Sequence, residues 1–286
     1  MNINVTSPKD LKRLMEEFGI APLKKLGQNF LVDGNIVEKI AESAAPENAC
    51  VLEIGPGFGA LTGRLLARGG EVAAYEIDAG LARALSSLYE GESRFHLFHK
   101  DFLKADIDTE LAELFDNNEV YVAANLPYYI TSACIMALLT AKLNIKRITV
   151  MVQKEVADRL CASPGSKDYG ALTAAVSFFS VPKRLFNVSP SCFYPRPDVE
   201  STVVQMELVS KPGEDADEYL NTVRSLFAMR RKTVRSNLRQ SLGISKDEAE
   251  ELLDAAGVDG NARAESFTVS DFLAVSKKIC EKSKKY

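Results

Sequence analysis

Between residues 50 and 152 short apolar runs alternate with stretches of helical periodicity. Runs at Cys50–Ile54, Val72–Ile77, Phe95–Phe98, Val120–Ala124 and Ile148–Val152 read as strands, and Leu61–Ala67 and Leu81–Leu88 read as helices between them. Strands alternating with helices predict an α/β fold, a mostly parallel sheet covered on both faces. Upstream, Leu11, Leu14, Met15 and Phe18 recur at helical spacing, and a second helix is expected over Gly34–Ser43. Downstream, Ser201–Leu208 reads as a late strand, paired antiparallel at the sheet's edge. Val209–Asp217 is polar, contains Pro212 and Gly213, and breaks the rhythm as a linker does. Helical periodicity then covers Glu218–Arg230, Thr233–Leu242, Lys246–Ala256 and Ser270–Glu281, with Ser245 and Ser270 as expected N-caps. The expected organisation is an α/β domain over 1–210 with an N-terminal helical extension, followed by a small all-α domain over 211–286.

Composition narrows the class without deciding it. With 286 residues, 46% hydrophobic and 26% charged, the chain is ordinary for a globular protein. No apolar run approaches the roughly 20 residues that cross a bilayer, and the N-terminus lacks the charged start and apolar run of a signal peptide, so a cytoplasmic location without membrane contact is expected. Cys50, Cys134, Cys161, Cys192 and Cys280 are scattered and odd in number, which suggests neither disulfides nor a zinc site; no metal is expected. A net charge of −4 argues against a nucleic-acid partner. Its distribution argues the other way. Arg224, Arg230, Arg231, Lys232, Arg235 and Arg239 lie in a stretch without an acid, and Lys9, Lys12, Arg13, Lys24 and Lys25 form a weaker basic zone. Such runs are either solvated helix faces or phosphate-binding surfaces.

The first strand ends in Glu53-Ile54-Gly55-Pro56-Gly57-Phe58-Gly59, glycines where a backbone must turn tightly and approach a ligand closely. The spacing is GxGxG rather than the dehydrogenase GxGxxG, and Glu53 stands two residues ahead. A carboxylate there opposes a pyrophosphate but welcomes the cationic sulfonium and ammonium of S-adenosylmethionine. Glu76 closes the second strand, where an acid accepts from ribose hydroxyls, and Asp101 with Phe102 follows the third, suited to an adenine amino group and ring. Each acid alone reads as an exposed strand-end charge. Three at successive strand ends on one side of a sheet point to a ligand site.

Asn125-Leu126-Pro127-Tyr128 follows the fourth run. An adenine amino nitrogen is a poor nucleophile because its lone pair is delocalised, and acceptors aimed at its two protons favour the pyramidal shape needed for attack. The Asn125 oxygen and the Leu126 carbonyl are candidates, with Pro127 fixing the turn and Tyr128 offering a face for an extruded base. The bland alternative is an asparagine-proline turn with a buried tyrosine. His96 and His99 both fall in the third strand, away from these loops, which disfavours histidine acid–base chemistry, triads and histidine metal sites.

The chain resembles the ribosomal RNA adenine dimethyltransferase family across nearly its whole length. The matching segments are Gly27–Leu31, Glu53–Gly57, Glu76–Asp78, Asn125–Tyr128, Val152–Ala157 and Phe227–Thr233. The resemblance implies a Rossmann-like sheet that binds S-adenosylmethionine and releases S-adenosylhomocysteine. It implies that Asn29, Leu31, Gly55, Glu76, Asp101 and Asn125 line the cofactor site, and Gln28, Glu53, Gly57, Ile77 and Phe102 are counted with them. Tyr128 and Phe193 are expected to sandwich the target adenine, and Lys24, Lys25, Arg230, Arg231 and Lys232 to bind RNA. Members that look like this dimethylate two adjacent adenines in a hairpin loop near the 3′ end of small-subunit ribosomal RNA, late in 30S assembly. A monomer acting on the immature 30S particle is the expectation. The chain departs from the usual pattern at Val188-Ser189-Pro190, at Pro197-Asp198-Val199, where Asp198 replaces a positive charge, and at Leu26; these read as tuning of RNA contacts.

Three rivals differ from this reading. A large-subunit adenine N6-methyltransferase conferring antibiotic resistance shares the chemistry, but Phe227–Thr233 and Val152–Ala157 look like the small-subunit group. A nicotinamide dehydrogenase shares the sheet, but the glycine spacing and the lack of a proton donor at the strand ends count against it. A non-catalytic ribosome assembly factor would have no need of the intact Asn125–Tyr128 loop.

Overall fold

The computed structural model of the protein describes residues 3–22, 28–127, 129–209 and 214–283. The chain divides into two compact units, Met1–Ala157 with Pro182–Leu208, and Asp158–Val181 with Val209–Tyr286.

The first unit opens with α1 (Pro8–Glu17), whose start is set by Pro8 and by the Ser7 hydroxyl accepting from the Asp10 amide. Leu11, Leu14 and Met15 form its buried face. The two-residue strand β1 (Phe30–Leu31) precedes α2 (Gly34–Ala44), which Asp33 caps. Then come β2 (Cys50–Ile54), α3 (Ala60–Ala67), β3 (Glu71–Glu76), α4 (Ala79–Leu88) and β4 (Phe95–His99). A single 3-10 turn leads to α5 (Ile107–Ala112), β5 (Val120–Asn125), α6 (Thr131–Thr140), β6 (Ile145–Gln153) and α7 (Lys154–Leu160). After α8 (Ala171–Phe179) come β7 (Ser180–Val188), β8 (Phe193–Tyr194) and β9 (Ser201–Leu208).

Among the described residues the main sheet has seven strands in the order β4-β3-β2-β5-β6-β9-β7, and β1 pairs with β8 apart from it. Strands β2 to β6 are mutually parallel where they pair. Strands buried on both faces read as near-continuous apolar runs, which is why these were visible in the sequence. The chain starts in the middle of the sheet at β2, moves out through β3 and β4, then returns to place β5 on the other side of β2. The strand order therefore reverses between β2 and β5, and ligands bind beyond the carboxyl ends of such a pair.

Two features depart from the sequence reading. Ser201–Leu208 pairs antiparallel with β6, as expected, but β7 lies beyond it, so β9 is interior rather than at the edge. Pro182 and the adjacent Lys183 and Arg184 hide β7 from a periodicity reading. Both are tolerated because an edge strand has one side without ladder partners and one face in solvent.

The second unit packs α9 (Glu214–Leu226), α10 (Val234–Leu242), α11 (Lys246–Ala255) and α12 (Val269–Ser283) with residues 158–181, which the expected boundary at 210 had given to the α/β domain. Aromatic packing explains the difference. The Phe178 and Tyr219 rings stack with centroids 4.1 Å apart, the Tyr219 hydroxyl donates to the Ala174 carbonyl, and the Tyr169 hydroxyl donates to the Phe267 carbonyl. Ser245 caps α11 in a reciprocal box with Glu248. Ser270 lies inside α12 instead of capping it; Thr268 and Asp271 exchange that pair of bonds. The last helices begin or end a few residues from the expected bounds, as frayed helix ends do.

Between α9 and α10 the chain makes a turn braced by Asn237, which is 2% exposed. Its Nδ2 donates to the carbonyls of Leu226 and Met229, and its Oδ1 accepts from the Met229 amide. Truncating it leaves three backbone groups, one buried and two part-buried, short of a partner, so Asn237→Ala is expected to destabilise the second unit by about 1–3 kcal/mol. Denaturant unfolding followed by circular dichroism measures this, and an unchanged midpoint would mean that the brace is dispensable.

Candidate functional site

A cavity opens at the carboxyl ends of β2, β3, β4 and β5, lined from those ends by Glu53, Gly55, Gly57, Glu76, Asp101 and Asn125. The turn after β2 holds Gly55, Gly57 and Gly59 at φ of 67°, 61° and 79°, which side chains rarely adopt. At Gly57 a Cβ would also press on the Phe30 ring at 3.0 Å. Backbone thus takes the place of side chain where the strand meets the cavity.

The acids are held by internal donors. Glu76, 4% exposed, accepts from the Gly57 and Asp78 amides at 3.3 and 2.9 Å; burial raises its pKa and these amides offset part of the shift. Asp101 accepts from the Leu103 amide and starts the 3-10 turn Phe102–Lys104, with Lys104 3.6 Å away. Phe102 is buried and packs edge-on to Tyr75.

Glu53 differs both from the charged carboxylate expected to face a cationic donor and from an exposed strand-end charge. On β2 it sits in register between Ala74 and Ala123, small neighbours that leave room for its side chain. The carboxyl, 2% exposed, accepts from the Thr62 hydroxyl at 2.6 Å. Burial pushes its pKa up to about 8, so the group is largely protonated at neutral pH.

Of the expected site residues, Gln28, Asn29, Leu31, Ile77, Leu126, Pro127 and Phe193 also line the cavity. Phe193 comes from the far end of the chain because β8 pairs with β1, setting Leu31 opposite Phe193 and Phe30 opposite Tyr194. The Asn125 Nδ2 donates to the Asn29 carbonyl at 3.1 Å. The Pro127 carbonyl is taken by the Ile130 amide and the Thr131 hydroxyl, closing the turn. Neither Asn125 Oδ1 nor the Leu126 carbonyl accepts from any described residue. Tyr128, Lys24, Lys25 and Leu26 lie outside the described residues. Arg230, Arg231 and Lys232 belong to the second unit, in the exposed turn between α9 and α10, and among the described residues none of them forms an ion pair. They stand in a turn and not on a helix face. Arg235, from the same basic stretch, is committed to Glu250 and Asn261.

The sequence reading missed several lining residues. Val5 and Leu11 reach the cavity from the α1 region, and Lys100, Leu103 and Tyr129 from its rim. The apolar face of α1 was the available signal for Leu11. Tyr129 is 59% exposed and Ile77 52% exposed, so the rim presents apolar surface to solvent. His96 bonds Glu71, and neither histidine lines the cavity.

Comparison with known proteins agrees with this geometry. Residues 23–281 match the family described as ribosomal RNA adenine dimethylase. The chain belongs to that family. It is 40% identical to the ribosomal RNA small subunit methyltransferase A of Bacillus licheniformis, covering 98% of this chain and 99% of the relative. It is 42% identical to the protein of that name from Pelotomaculum thermopropionicum, covering 96% and 97%. Among solved structures, a dimethyladenosine transferase from Plasmodium falciparum is similar with a TM-score of 0.73 at 26% identity, covering 88% of this chain and 98% of that one. The 23S rRNA methyltransferase ErmE gives 0.64 at 27% identity, covering 88% and 99%. The Rossmann-like methyltransferase fold and family are thereby established, and the dehydrogenase alternative falls away.

The protonated Glu53 has a consequence for stability. A carboxyl whose folded pKa is raised contributes stability in full below its unfolded pKa, and loses it as pH rises through the folded value. Wild-type protein is therefore expected to lose thermal stability between roughly pH 5 and pH 9, and Glu53→Gln, which keeps an acceptor for Thr62, should flatten that decline. Melts of both proteins across the range decide it, and parallel curves would show Glu53 to be ionised throughout.

Proposed function

We propose that the protein transfers methyl groups from S-adenosylmethionine to N6 of two adjacent adenines in a hairpin loop near the 3′ end of small-subunit ribosomal RNA. The observation that carries this reading is a pair of acceptors, Asn125 Oδ1 and the Leu126 carbonyl, that no described residue engages, beside a cavity lined by three strand-end acids. The 40% identity to small-subunit enzymes over nearly the whole chain supports that substrate over the large-subunit one.

The cavity suits the donor. Among the described residues, Glu76 and Asp101 line it with one lysine, Lys100, which bonds Glu110, and Glu53 adds a neutral carboxyl at neutral pH; such a balance favours a cation over a pyrophosphate. When bound, S-adenosylmethionine supplies a methyl group on a sulfonium centre. Glu76 would take the ribose hydroxyls and Asp101 the adenine amino group, with Ile77 and Phe102 against the ring. Gln28, Asn29, Leu31, Gly55 and Gly57 would complete the enclosure, and Glu53 would act behind the glycine turn.

Asn125 and Leu126 would accept from the two protons of the target amine as it pyramidalises, an interaction that strengthens toward the transition state. Tyr128 and Phe193 would hold the base between them, with Pro127 fixing the turn. The bound donor would supply the methyl carbon to this nitrogen and leave as S-adenosylhomocysteine, and the amine's proton would pass to water. No side chain needs to act as a strong base.

RNA would be held at Lys24, Lys25 and the Arg230-Arg231-Lys232 turn, with the protein acting as a monomer in the cytoplasm on the immature 30S particle. Among the described residues no helix is long and apolar enough to cross a membrane.

Incubating the protein with labelled S-adenosylmethionine and immature small subunits that lack the modification should label two adjacent adenines near the 3′ end of the RNA. Label at a large-subunit adenine, or none, would overturn the reading. Neutralising Arg230, Arg231 and Lys232 together should weaken binding to that particle and flatten its salt dependence, since each lost phosphate contact removes about one released counterion. Affinity for S-adenosylhomocysteine should stay the same. A triple alanine variant that melts normally and keeps the wild-type affinity and salt slope would remove the turn from the RNA surface.

A further inference from the structure

The bond between Asn125 and Asn29 joins residues 96 positions apart and touches the group on which the chemistry depends. Asn125 ends β5 and is half-buried. A main-chain carbonyl accepts and never donates, so a contact of 3.1 Å to the Asn29 oxygen admits the Asn125 amide in one orientation only, with Nδ2 toward Asn29 and Oδ1 turned away from it.

The Asn29 carbonyl is itself firmly placed. The next residue, Phe30, is 8% exposed and packs edge-on to Phe58 with ring centroids 5.1 Å apart. Leu31 is tied to Phe193 through the β1–β8 pairing. The segment that carries the carbonyl is thus clamped to the glycine turn on one side and to β8 on the other.

We propose that the Asn29 main-chain carbonyl is a positioning group that holds the Asn125 amide with its oxygen presented to the substrate amine, and that it makes an amide, not a carboxylate, the group required at position 125. This rests on the reading of Asn125 as an acceptor for the amine. An ionised aspartate at this position would bring two acceptors face to face with no proton between them, and would swing away or lose its hold. A protonated aspartic acid has the same shape as asparagine, donates to the Asn29 carbonyl through its hydroxyl, and keeps its other oxygen as the acceptor. The rule is therefore one of proton inventory: position 125 must donate on one side and accept on the other.

Methylation rates under single-turnover conditions, measured for Asn125→Asp and Asn125→Ala as ratios to wild type at each pH, test this. The ratio cancels any pH dependence of the RNA or the donor. The Asn125→Asp ratio should climb at least about tenfold from pH 8 to pH 6 as the carboxyl gains its proton, while the Asn125→Ala ratio stays low and flat. A flat Asn125→Asp ratio, whether near wild type or as low as alanine, overturns the proposal. Near-normal turnover by Asn125→Ala overturns the underlying acceptor reading instead, so the two failures are distinguishable.

A measurement on wild-type protein covers the case in which the aspartate variant does not fold. In uniformly 15N-labelled protein the Asn125 side-chain amide protons should exchange with solvent at least about tenfold more slowly than those of exposed asparagines, because one is held by the Asn29 carbonyl. Exchange at the exposed rate overturns the proposal independently of any variant.

Discussion

Parallel strands β2 and β5 lie side by side, yet the chain leaves their carboxyl ends in different directions, and that divergence is the constraint on which the site depends. After β2 the backbone turns through three left-handed glycines into α3; after β5 it turns at Pro127 into α6. Connections on either side of a reversal in strand order cannot close over the gap between them. The cleft is a product of topology before any side chain is considered, and the acids, the Asn125 oxygen and Phe193 are arranged around an opening that already exists.

Placing carboxyls in such a cleft costs desolvation, and the protein offsets it with donors from the strand ends and from the turns and helix beside them. Glu76 draws on amides of its own strand end and of the glycine turn, Asp101 on the turn it initiates, and Glu53 on Thr62 one helix away. These bonds orient the acids in advance, so a ligand meets acceptors that need little rearrangement. Glu53 is the most deeply buried, and burial pushes its pKa up to about 8, which makes the charge of the cavity depend on pH and, through linkage, on the charge of whatever occupies it.

The second unit presents a different kind of surface. Its aromatic rings Tyr219, Phe178, Phe227 and Phe272 pack on one another, and three cations are displayed on a short turn whose backbone is fixed by the buried Asn237. Three cations on one turn oppose one another, and a rigid support keeps them together despite the repulsion. An acidic chain, with net charge −4, can thereby carry a local basic site suited to a polyanion.

Much of this was legible in the chain itself. The parallel strands read as apolar runs because both of their faces are buried, the glycine turn and the Asn125–Pro127 loop read as motifs because local backbone geometry demands those residue types, and the capping of α11 by Ser245 follows from a contact three residues long. What escaped depends on residues distant in sequence. Strand β7 is an edge strand whose proline and charges carry no strand signal, and residues 158–181 join the second unit through a ring contact with Tyr219 and a hydrogen bond to the Phe267 carbonyl that no periodicity encodes. The protonation of Glu53 follows from its burial beside Thr62, and the orientation of Asn125 from a carbonyl that β1 brings to it only by pairing with β8. Sequence by itself determined which residue types stand at the strand ends, since that is decided by neighbours along the chain; tertiary structure alone decided which atoms of those residues remain available, since hydrogen bonding and burial are settled by partners that meet only when the chain has folded.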